Sequence, residues 1–276
     1  MPELPEVETV KRTLEQLIVG KTIEQVDVRW PKMIKRPDDA NAFADLLKGE
    51  TFQSIGRRGK FLLLYLDSWT LVSHLRMEGR YGLFQSGEEI DKHTHVLFQL
   101  VGDEELRYRD VRKFGTMHLF PRGEELKSLP LSQLGVEPFT EAFTPFHLMQ
   151  KLKRTTRKVK PALLDQTILA GLGNIYVDEA LFLAGIHPER RADSLSEEEA
   201  VKLHGSIVKT LKGAVEQGGS SIKSYVNGQG EMGMFQQQLF VYGRSGDECK
   251  QCGNEIIRTV VGGRGTHTCP NCQPLL

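Results

Sequence analysis

The sequence has no long apolar segment, and its first residues do not have the pattern of a secretory signal. Its longest uninterrupted apolar run is FLLLYL at 61–66, whereas a membrane-spanning helix needs about 20 apolar residues. The first ten residues, MPELPEVETV, contain three glutamates and no basic residue, and therefore lack the basic and then apolar plan of a secretory signal. We expect a soluble, cytoplasmic protein, and the length of 276 residues favours two domains.

The sequence also has no excess of either charge, with 36 basic and 36 acidic residues. Net charge therefore does not indicate a nucleic-acid partner, and such a role depends on how the charges are distributed. The segment KLKRTTRKVK at 151–160 holds six basic residues and no acidic one, whereas SLSEEEA at 194–200 holds three consecutive glutamates and a Ser196 to Glu199 capping box, which predicts the start of a helix. The basic run fits a solvated helix face as well as a nucleic-acid contact.

Hydrophobic periodicity and turn residues predict an α+β multidomain protein. Residues 5–19 have helical spacing, and short β-type runs separated by Gly, Asp and Glu turns follow up to Pro121. These runs lie at 22–30, 61–66, 70–76, 95–100, 105–111 and 116–120. We predict a β-sandwich domain with flanking helices at 1–135, a linker at 136–145, a helical domain at 146–234 with a Gly- and Ser-rich loop at 218–233, and a last compact unit at 235–276.

Cysteine is confined to the last unit. Cys249 and Cys252 form one C-x2-C pair and Cys269 and Cys272 form another, a spacing typical of a four-cysteine zinc site. Four protein ligands leave no open coordination position, so we expect one structural Zn²⁺ and not a catalytic metal. Two disulfides are the alternative, which a cytoplasmic location disfavours. Between the pairs, two strands joined by a turn at 262–265 would place Arg264 at a hairpin tip, where it could meet a phosphate.

Pro2 stands directly behind the initiator methionine. If Met1 is removed, as a small second residue normally permits, Pro2 has a free secondary amine; an α-amino group titrates near ~8 and a lysine near ~10.4. Such an amine can attack C1′ of a sugar, displace the base and leave an iminium that favours strand cleavage by elimination. Glu3 and Glu6 would supply carboxylates for proton transfer. The alternative is a frayed terminus with exposed acids.

Several motifs together resemble bacterial formamidopyrimidine-DNA glycosylase. They are PELPEVET at 2–9, HLRMEGRY at 74–81, RYRDVRKFG at 107–115, DQTILAGLGNIYVDE at 165–179 and the four-cysteine unit. The resemblance covers nearly the whole chain in the same order. It implies a base-excision repair enzyme that removes oxidised purines, chiefly 8-oxoguanine and formamidopyrimidines, from duplex DNA and cleaves the strand by β,δ-elimination. It also implies an N-terminal β-sandwich and a helix-two-turns-helix domain with a zinc-finger hairpin.

The same resemblance implies roles for individual residues. Pro2 would be the nucleophile, Glu3 the acid acting on the sugar and Glu6 a supporting group, while Lys60 would contact phosphate near the lesion and assist catalysis. The local alternative for Lys60 is an edge-strand lysine that discourages aggregation. The residues implied to enter the duplex where the lesion has been flipped out are Met77, Arg112 and Phe114.

Further DNA contacts follow from the resemblance. The GLGN segment at 171–174 is typical of a turn that enters a helix, where backbone amides suit a phosphate. The implied backbone contacts are His74, Asn174, Arg264 and, in the basic run, Lys158. The loop implied to close over the flipped base contains Ser220, Ile222, Lys223, Ser224 and Tyr225; its backbone amides could read 8-oxoguanine, which carries a proton on N7 where guanine has an acceptor.

Two alternatives remain from the sequence. A glycosylase of the endonuclease VIII type also uses an N-terminal proline but prefers oxidised pyrimidines; PELPEVET and the set Met77, Arg112 and Phe114 favour the purine enzyme. A zinc-ribbon DNA-binding protein without chemistry would explain the cysteines but not Pro2, Glu3 and Lys60 together. Neither the resemblance nor the composition calls for more than a monomer.

Overall fold

The computed structural model describes residues 1–220 and 234–275. Its contacts divide these residues into two units. The first unit contains Met1–Gln133 and the described residues 218–220, and the second contains Leu134–Gln217 and 234–275. No helix of the described part is long and apolar enough to cross a membrane.

The first unit is built on two β-sheets that enclose an apolar core. One sheet has four antiparallel strands in the order β1-β7-β8-β6, and the other has five strands in the order β2-β9-β5-β4-β3. Strand β2 pairs in parallel with β9 at the edge of the second sheet. The strands are β1 Ile23–Val28, β2 Ile34–Arg36, β3 Ser54–Arg58, β4 Phe61–Tyr65, β5 Trp69–His74, β6 Arg80–Gln85, β7 Thr94–Leu100, β8 Glu104–Arg109 and β9 Thr116–Pro121.

Two helices belong to the first unit, α1 at Leu4–Ile18 and α2 at Ala40–Leu47. Helix α1 begins directly behind Glu3, with a proline in its first turn, a position that proline favours. Its side chains Val7, Val10, Leu14 and Ile18 are buried in the core. Burial of this stripe fixes the start of the helix, and with it the position of the residues at the amino terminus.

The second unit is helical and ends in a β-hairpin. Its helices are α3 Pro145–Leu152, α4 Val159–Leu163, α5 Asn174–Ala184 and α6 Glu197–Glu216, and its strands are β10 Ile257–Val261 and β11 Arg264–Thr268. Helix α6 begins with the predicted capping box, in which Ser196 and Glu199 each accept a hydrogen bond from the other's backbone N–H. Helix α5 contacts both α6 and β11, so it links the bundle to the hairpin.

The structure confirms the predicted helix near the amino terminus and every predicted strand, and it adds four elements. The additions are α2, β2, β3 and β6. Strand β6, RYGLFQ, is interrupted by a glycine, and β3, SIGRR, has one apolar residue other than glycine. Neither segment gives a clear strand pattern in the sequence, and pairing with β8 and β4 holds them in the sheets.

Candidate active site and metal centre

The first residues of the chain form a buried group of carboxylates. Glu3 and Glu6 are each 2% exposed, and Pro2 is also buried. The backbone N–H of Glu3 donates to Glu6 Oε2 at 2.8 Å, and the backbone N–H of Ser220 donates to Glu6 Oε1 at 2.8 Å. Both oxygens of Glu6 are thus engaged, and this carboxylate fixes the backbone on which Pro2 and Glu3 lie.

Close packing explains the glycine next to Ser220. Gly219 has a φ of +82°, and a Cβ at this position would lie 2.7 Å from Glu6 Oε1. A larger residue would therefore be strained and would also displace the carboxylate. Of the five residues named for lesion recognition, Ser220 is in the described part; Ile222, Lys223, Ser224 and Tyr225 lie outside it.

Lys60 lies in the tight turn between β3 and β4. Arg58 pairs with Phe61, and Gly59 has a φ of +59°, as a two-residue hairpin turn requires. The side chain of Arg57 donates to Gly59 O at 2.9 Å and to Glu8 Oε2 at 3.0 Å. Because Glu8 belongs to α1, Arg57 ties the turn of Lys60 to the helix that carries the amino terminus. Lys60 is 5% exposed.

His74 ends β5 and is surrounded by cations. Its ring packs edge-on against Phe61 with centroids 4.5 Å apart. Burial lowers the pKa of His74 to about 3, and Arg76, Lys60 and His118 add to the effect. The backbone N–H of Arg76 donates to Nδ1 at 2.9 Å, so the proton of the neutral ring lies on Nε2. A neutral histidine of this tautomer can still donate one hydrogen bond.

We expect the His74 ring to stay neutral between about pH 5 and 8, where an ordinary histidine titrates. NMR titration of the imidazole checks this, and the Lys60→Met variant should raise the pKa of His74 only in part, because burial is the larger cause. The unfolded chain binds this proton near ~6.5. Stability contributed by neutral His74 is therefore lost as pH falls from that value towards 3. A midpoint near 6.5 would show that the ring is exposed.

Arg112 and Phe114 lie on a short turn organised by one carboxylate. Asp110 is fully buried and accepts backbone hydrogen bonds from Arg112 at 3.0 Å, Phe114 at 2.9 Å and Gly115 at 2.7 Å. Phe114 is 51% exposed, and the Arg112 guanidinium lies 4.7 Å from the centre of its ring. A large apolar side chain held outward on a fixed turn is suited to insertion between bases.

The turn of Met77 is joined to the turn of Phe114 by Tyr108. Gly79 follows Met77 and Gly115 follows Phe114. A Cβ on Gly79 would lie 2.1 Å from the Tyr108 hydroxyl oxygen, and one on Gly115 would lie 1.9 Å from it. The hydroxyl group of Tyr108, which is fully buried, therefore touches the backbone of both turns and fixes their separation.

Replacing Gly115 with alanine should lower the free energy of unfolding by about 2–3 kcal/mol, because the added methyl overpacks the turn. The turn also carries Phe114, so the same substitution should displace that side chain. Gly205→Ala in α6 is the control: a Cβ there meets nothing within 4 Å, and the change should be neutral or stabilise by up to about 1 kcal/mol. Urea unfolding measures both. Equal stability of the two variants would contradict the contact with Tyr108.

In the second unit, Asn174 and Arg264 are brought together by α5 and the hairpin. Asn174 is the first residue of α5, behind Gly173, and its side-chain amide donates to Gly265 O at 3.0 Å. The turn between the strands is shorter than predicted: only Gly262 and Gly263 form it, with φ values of +57° and +74°, and Arg264 opens β11 opposite Val261. The exposed Arg264 and the amino end of α5 offer donors for a phosphate.

The basic run at 151–160 is not a single solvated helix face. Helix α3 ends at Leu152 and α4 begins at Val159. Lys160 is fully buried and donates to Asp178 Oδ1 at 2.7 Å, to Thr266 Oγ1 at 2.8 Å and to Gly265 O at 3.0 Å. It therefore braces the hairpin. Lys158 is exposed and pairs with Glu189.

The four cysteines converge at the base of the hairpin. Their Sγ atoms all lie within 4.8 Å of one another, with Cys249 and Cys272 3.9 Å apart and Cys252 and Cys269 3.4 Å apart. A tetrahedron with Zn–S bonds of about 2.3 Å has edges of about 3.8 Å, so the donor set fits Zn²⁺. A disulfide needs sulfurs about 2.05 Å apart, and all four cysteines are free.

Three family models match the chain. The formamidopyrimidine-DNA glycosylase N-terminal domain matches residues 1–117, the formamidopyrimidine-DNA glycosylase H2TH domain matches residues 134–226, and a zinc finger found in FPG and IleRS matches residues 246–275. The chain is 67% identical over 274 residues to the formamidopyrimidine-DNA glycosylase of Shouchella clausii and 60% identical over 273 residues to that of Bacillus subtilis, with 99% of both partners covered in each case. The chain belongs to the formamidopyrimidine-DNA glycosylase family.

Solved structures of this family have the same fold. Lactococcus lactis Fpg in complex with DNA containing an abasic site has a TM-score of 0.93 and 44% sequence identity, and the match covers 99% of this chain and 100% of that one. Its wild-type complex with DNA containing N7-benzyl-Fapy-dG has a TM-score of 0.93 and 45% identity, with the same coverage. The predicted α+β fold, with its helix-two-turns-helix domain and zinc finger, is confirmed.

Membership of the formamidopyrimidine-DNA glycosylase family makes the chain a DNA glycosylase and abasic-site lyase of base-excision repair. The interpretation as a zinc-ribbon protein without chemistry is wrong, because the N-terminal domain model matches as well. The cysteine quartet is the zinc site of the family's finger, and one structural Zn²⁺ is its cofactor. No step of the reaction passes through this metal, since four thiolates leave no open position.

Two carboxylates that organise these sites, Asp110 and Glu179, differ in how visible they are in the sequence. Asp110 lies in the quoted motif RYRDVRKFG, and an acid before a turn is a known signal for side-chain to backbone hydrogen bonding. Glu179, which accepts backbone hydrogen bonds from Phe240, Val241 and Tyr242, has no such signal. Its partners lie some 60 residues further along the chain, at separations of 61, 62 and 63.

Proposed function

We propose that the chain excises oxidised purines, chiefly 8-oxoguanine and formamidopyrimidines, from duplex DNA through a Schiff base on Pro2 and then cleaves the strand by β,δ-elimination. The observation that carries this proposal is the amino-terminal group: a buried Pro2 precedes Glu3 and Glu6, and Glu6 receives the backbone N–H groups of Glu3 and Ser220. Such order is not expected of a frayed terminus.

The chemistry begins with removal of Met1, which converts the Pro2 nitrogen from an amide into an amine. Its lone pair attacks C1′ of the damaged nucleotide, and the C1′–N bond electrons leave with the base, which gains a proton. Protonation of O4′ opens the sugar ring and yields an iminium, and Glu3 would donate this proton. Loss of a C2′ proton expels the 3′ phosphate, and loss of a C4′ proton from the resulting unsaturated iminium then expels the 5′ phosphate. Water then hydrolyses the remaining iminium and regenerates the amine.

A secondary amine suits these reaction steps better than the primary amine of a lysine would. The iminium that proline forms has no N–H proton to lose, so it stays cationic and acidifies C2′ for the first elimination and, through the new double bond, C4′ for the second. Lys60, held on a turn tied to α1, would hold the phosphate beside the reacting sugar. The lesion types named for the solved relatives, a Fapy-dG derivative and an abasic site, support both the substrate class and the lyase step.

The exposed turns of the first unit would occupy the space of the flipped nucleotide. Met77 would fill the void, Phe114 would wedge the neighbouring step, and Arg112 would donate hydrogen bonds to the orphan cytosine. Their turns are fixed by Asp110 and Tyr108, so the insertion would require no reorganisation of the protein.

Backbone phosphates would be bound by donors from both units. His74 would donate from Nε2, Asn174 and the amino end of α5 would supply amide groups, and Arg264 would supply its guanidinium. Lys158 pairs with Glu189 at the surface. Because an exposed ion pair contributes little stability, Lys158 would give up this partner for a phosphate of the DNA. We place the recognition of the flipped base on Ser220, Ile222, Lys223, Ser224 and Tyr225. We also propose that the enzyme acts as a monomer in the cytoplasm.

Strand cleavage on two matched duplexes tests the substrate class. One duplex carries 8-oxoguanine opposite cytosine and the other carries an oxidised pyrimidine, thymine glycol, opposite adenine, in the same flanking sequence. We expect faster single-turnover cleavage of the 8-oxoguanine duplex by at least roughly tenfold, a difference of about 1.4 kcal/mol in transition-state binding. Preference for the pyrimidine lesion would instead assign the endonuclease VIII type of activity and overturn the purine assignment.

A further inference from the structure

The edge of the five-stranded sheet carries a cluster of basic side chains with no role so far. It consists of Lys35 and Arg36 on β2, His118 on β9, and Arg76 just beyond β5, and we call it the β2 basic cluster. Arg36 and His118 are paired in register. The Arg36 guanidinium lies 4.6 Å from the centre of the Phe120 ring, and the His118 ring lies parallel to that ring at 6.3 Å. The buried Phe120 thus fixes two members of the cluster.

Within the described residues, the three charged members of the β2 basic cluster form no ion pair with a carboxylate. Several other cations of the first unit are paired: Lys21 with Glu104, Arg29 with Asp27, and Arg107 with Glu105. Among residues 1–220 and 234–275, by contrast, no carboxylate forms an ion pair with Lys35, Arg36 or Arg76, and all three are exposed.

Like charges lie close enough in the cluster to affect one another. Burial lowers the pKa of His118 to about 4, and Lys35, Arg76 and Arg36 add to the effect. At neutral pH the cluster therefore presents three cations and one neutral imidazole. An anion is the partner that would relieve this mutual repulsion.

We propose that the β2 basic cluster binds a backbone phosphate of the DNA duplex next to the point where Met77 enters it. This inference rests on the proposed function and adds a phosphate contact to it. Arg76 directly precedes Met77 in the chain, so an inserted Met77 brings the duplex to the cluster. The guanidinium groups suit phosphate because they donate two parallel hydrogen bonds.

The cluster also continues the phosphate-binding residues already proposed. In the sheet, Arg36 on β2 pairs with His118 on the neighbouring β9, and His74 on β5 pairs with Phe61, which directly follows Lys60. Basic groups therefore lie on successive strands from Lys60, in the turn ahead of β4, to the edge strand β2. A continuous basic track along one sheet matches a strand of DNA better than an isolated small anion, whose site would be enclosed.

Salt-dependent binding to DNA tests the proposal. The probe is a fluorescein-labelled duplex with one tetrahydrofuran residue, an abasic analogue that is not cleaved, and anisotropy gives Kd at a series of KCl concentrations. We expect Lys35→Gln and Arg36→Gln each to weaken binding roughly three- to tenfold, and the double variant to lower the slope of log K against log [KCl] by about 0.9, the value for one phosphate contact. The single-turnover cleavage rate at saturating enzyme should not change.

Lys48→Gln is the matched control, because Lys48 is an exposed lysine that follows α2 and the substitution removes the same charge. Losses in the Lys35→Gln and Arg36→Gln variants no larger than that of Lys48→Gln would overturn the inference, as would an unchanged salt slope in the double variant. Thermal melting confirms that each variant folds. If the unmodified protein failed to cleave the 8-oxoguanine duplex, the proposed function would fail; if it cleaved and the variants bound normally, only the β2 basic cluster would lose its role.

Discussion

One residue added ahead of Pro2 is expected to abolish base excision and strand cleavage, with losses on the order of a thousandfold or more, as for removal of other nucleophiles. The extension turns the Pro2 amine into an amide, which has no basic lone pair and cannot form an iminium. Met1 is 46% exposed ahead of the buried Pro2, so the loss would come from the chemistry of the nitrogen and not from crowding. Gel-resolved cleavage of an 8-oxoguanine duplex under single-turnover conditions measures the loss.

The control for this experiment is Pro2→Gly, which keeps a free α-amine after removal of Met1. We expect this variant to remain active but slower, by roughly ten- to a hundredfold, because a primary amine gives an imine that must be protonated to act as an electron sink. Binding to the tetrahydrofuran duplex shows whether the extended protein still engages DNA. Unchanged cleavage by the extended protein would mean that the nucleophile lies elsewhere.

Loss of zinc is the second change with a large expected effect. Chelation or Cys249→Ser should weaken binding to the tetrahydrofuran duplex by roughly a hundredfold, about 2.7 kcal/mol, because structural zinc sites contribute folding energy directly. Without the metal, the hairpin that carries Arg264 loses its base, and Gly265 no longer has a fixed position against Asn174 and Lys160. The first unit has its own core and should stay folded.

Zinc content and binding must be measured on the same samples. Added Zn²⁺ should restore the chelated protein and leave Cys249→Ser impaired. NMR spectra of methyl groups in the first unit, for example those of Val7 and Leu14, report whether its core is intact. A protein free of zinc by elemental analysis that bound DNA with full affinity would contradict the structural role of the metal.

Much of the fold follows from local sequence signals. FLLLYL is apolar throughout because β4 is a central strand of its sheet, with Leu62 and Leu64 in the core. Ser196 and Glu199 predicted the start of α6 as a capping box, and the structure confirms it. The spacing of the four cysteines was enough to predict the zinc site. Each C-x2-C segment forms a tight turn that brings its two thiolates together, so the local sequence determines their positions.

The parts of the site that sequence reasoning missed depend on distant partners. Because Lys160 belongs to a basic run, its sequence context predicts a surface residue. It is buried instead, since it forms an ion pair with Asp178 on the next helix, α5. Tyr108 looks like an ordinary strand residue in the sequence. Its contact with the turns of Met77 and Phe114 becomes visible only in the structure, where Gly79 and Gly115 pack against its hydroxyl group. The roles of Pro2, Glu3 and Lys60 remain predictions, which the structure supports by burial and position.

Borohydride trapping tests the central claim most directly. The protein is incubated with a duplex that contains one 8-oxoguanine opposite cytosine, sodium borohydride is added, and the cross-linked peptide is identified by mass spectrometry. Reduction converts a transient iminium into a stable amine bond, so the residue that attacked C1′ stays attached to the sugar. A cross-link at the Pro2 nitrogen, with Met1 absent, is the result we predict; a cross-link at Lys60 or another lysine, or none at all during active cleavage, would contradict it.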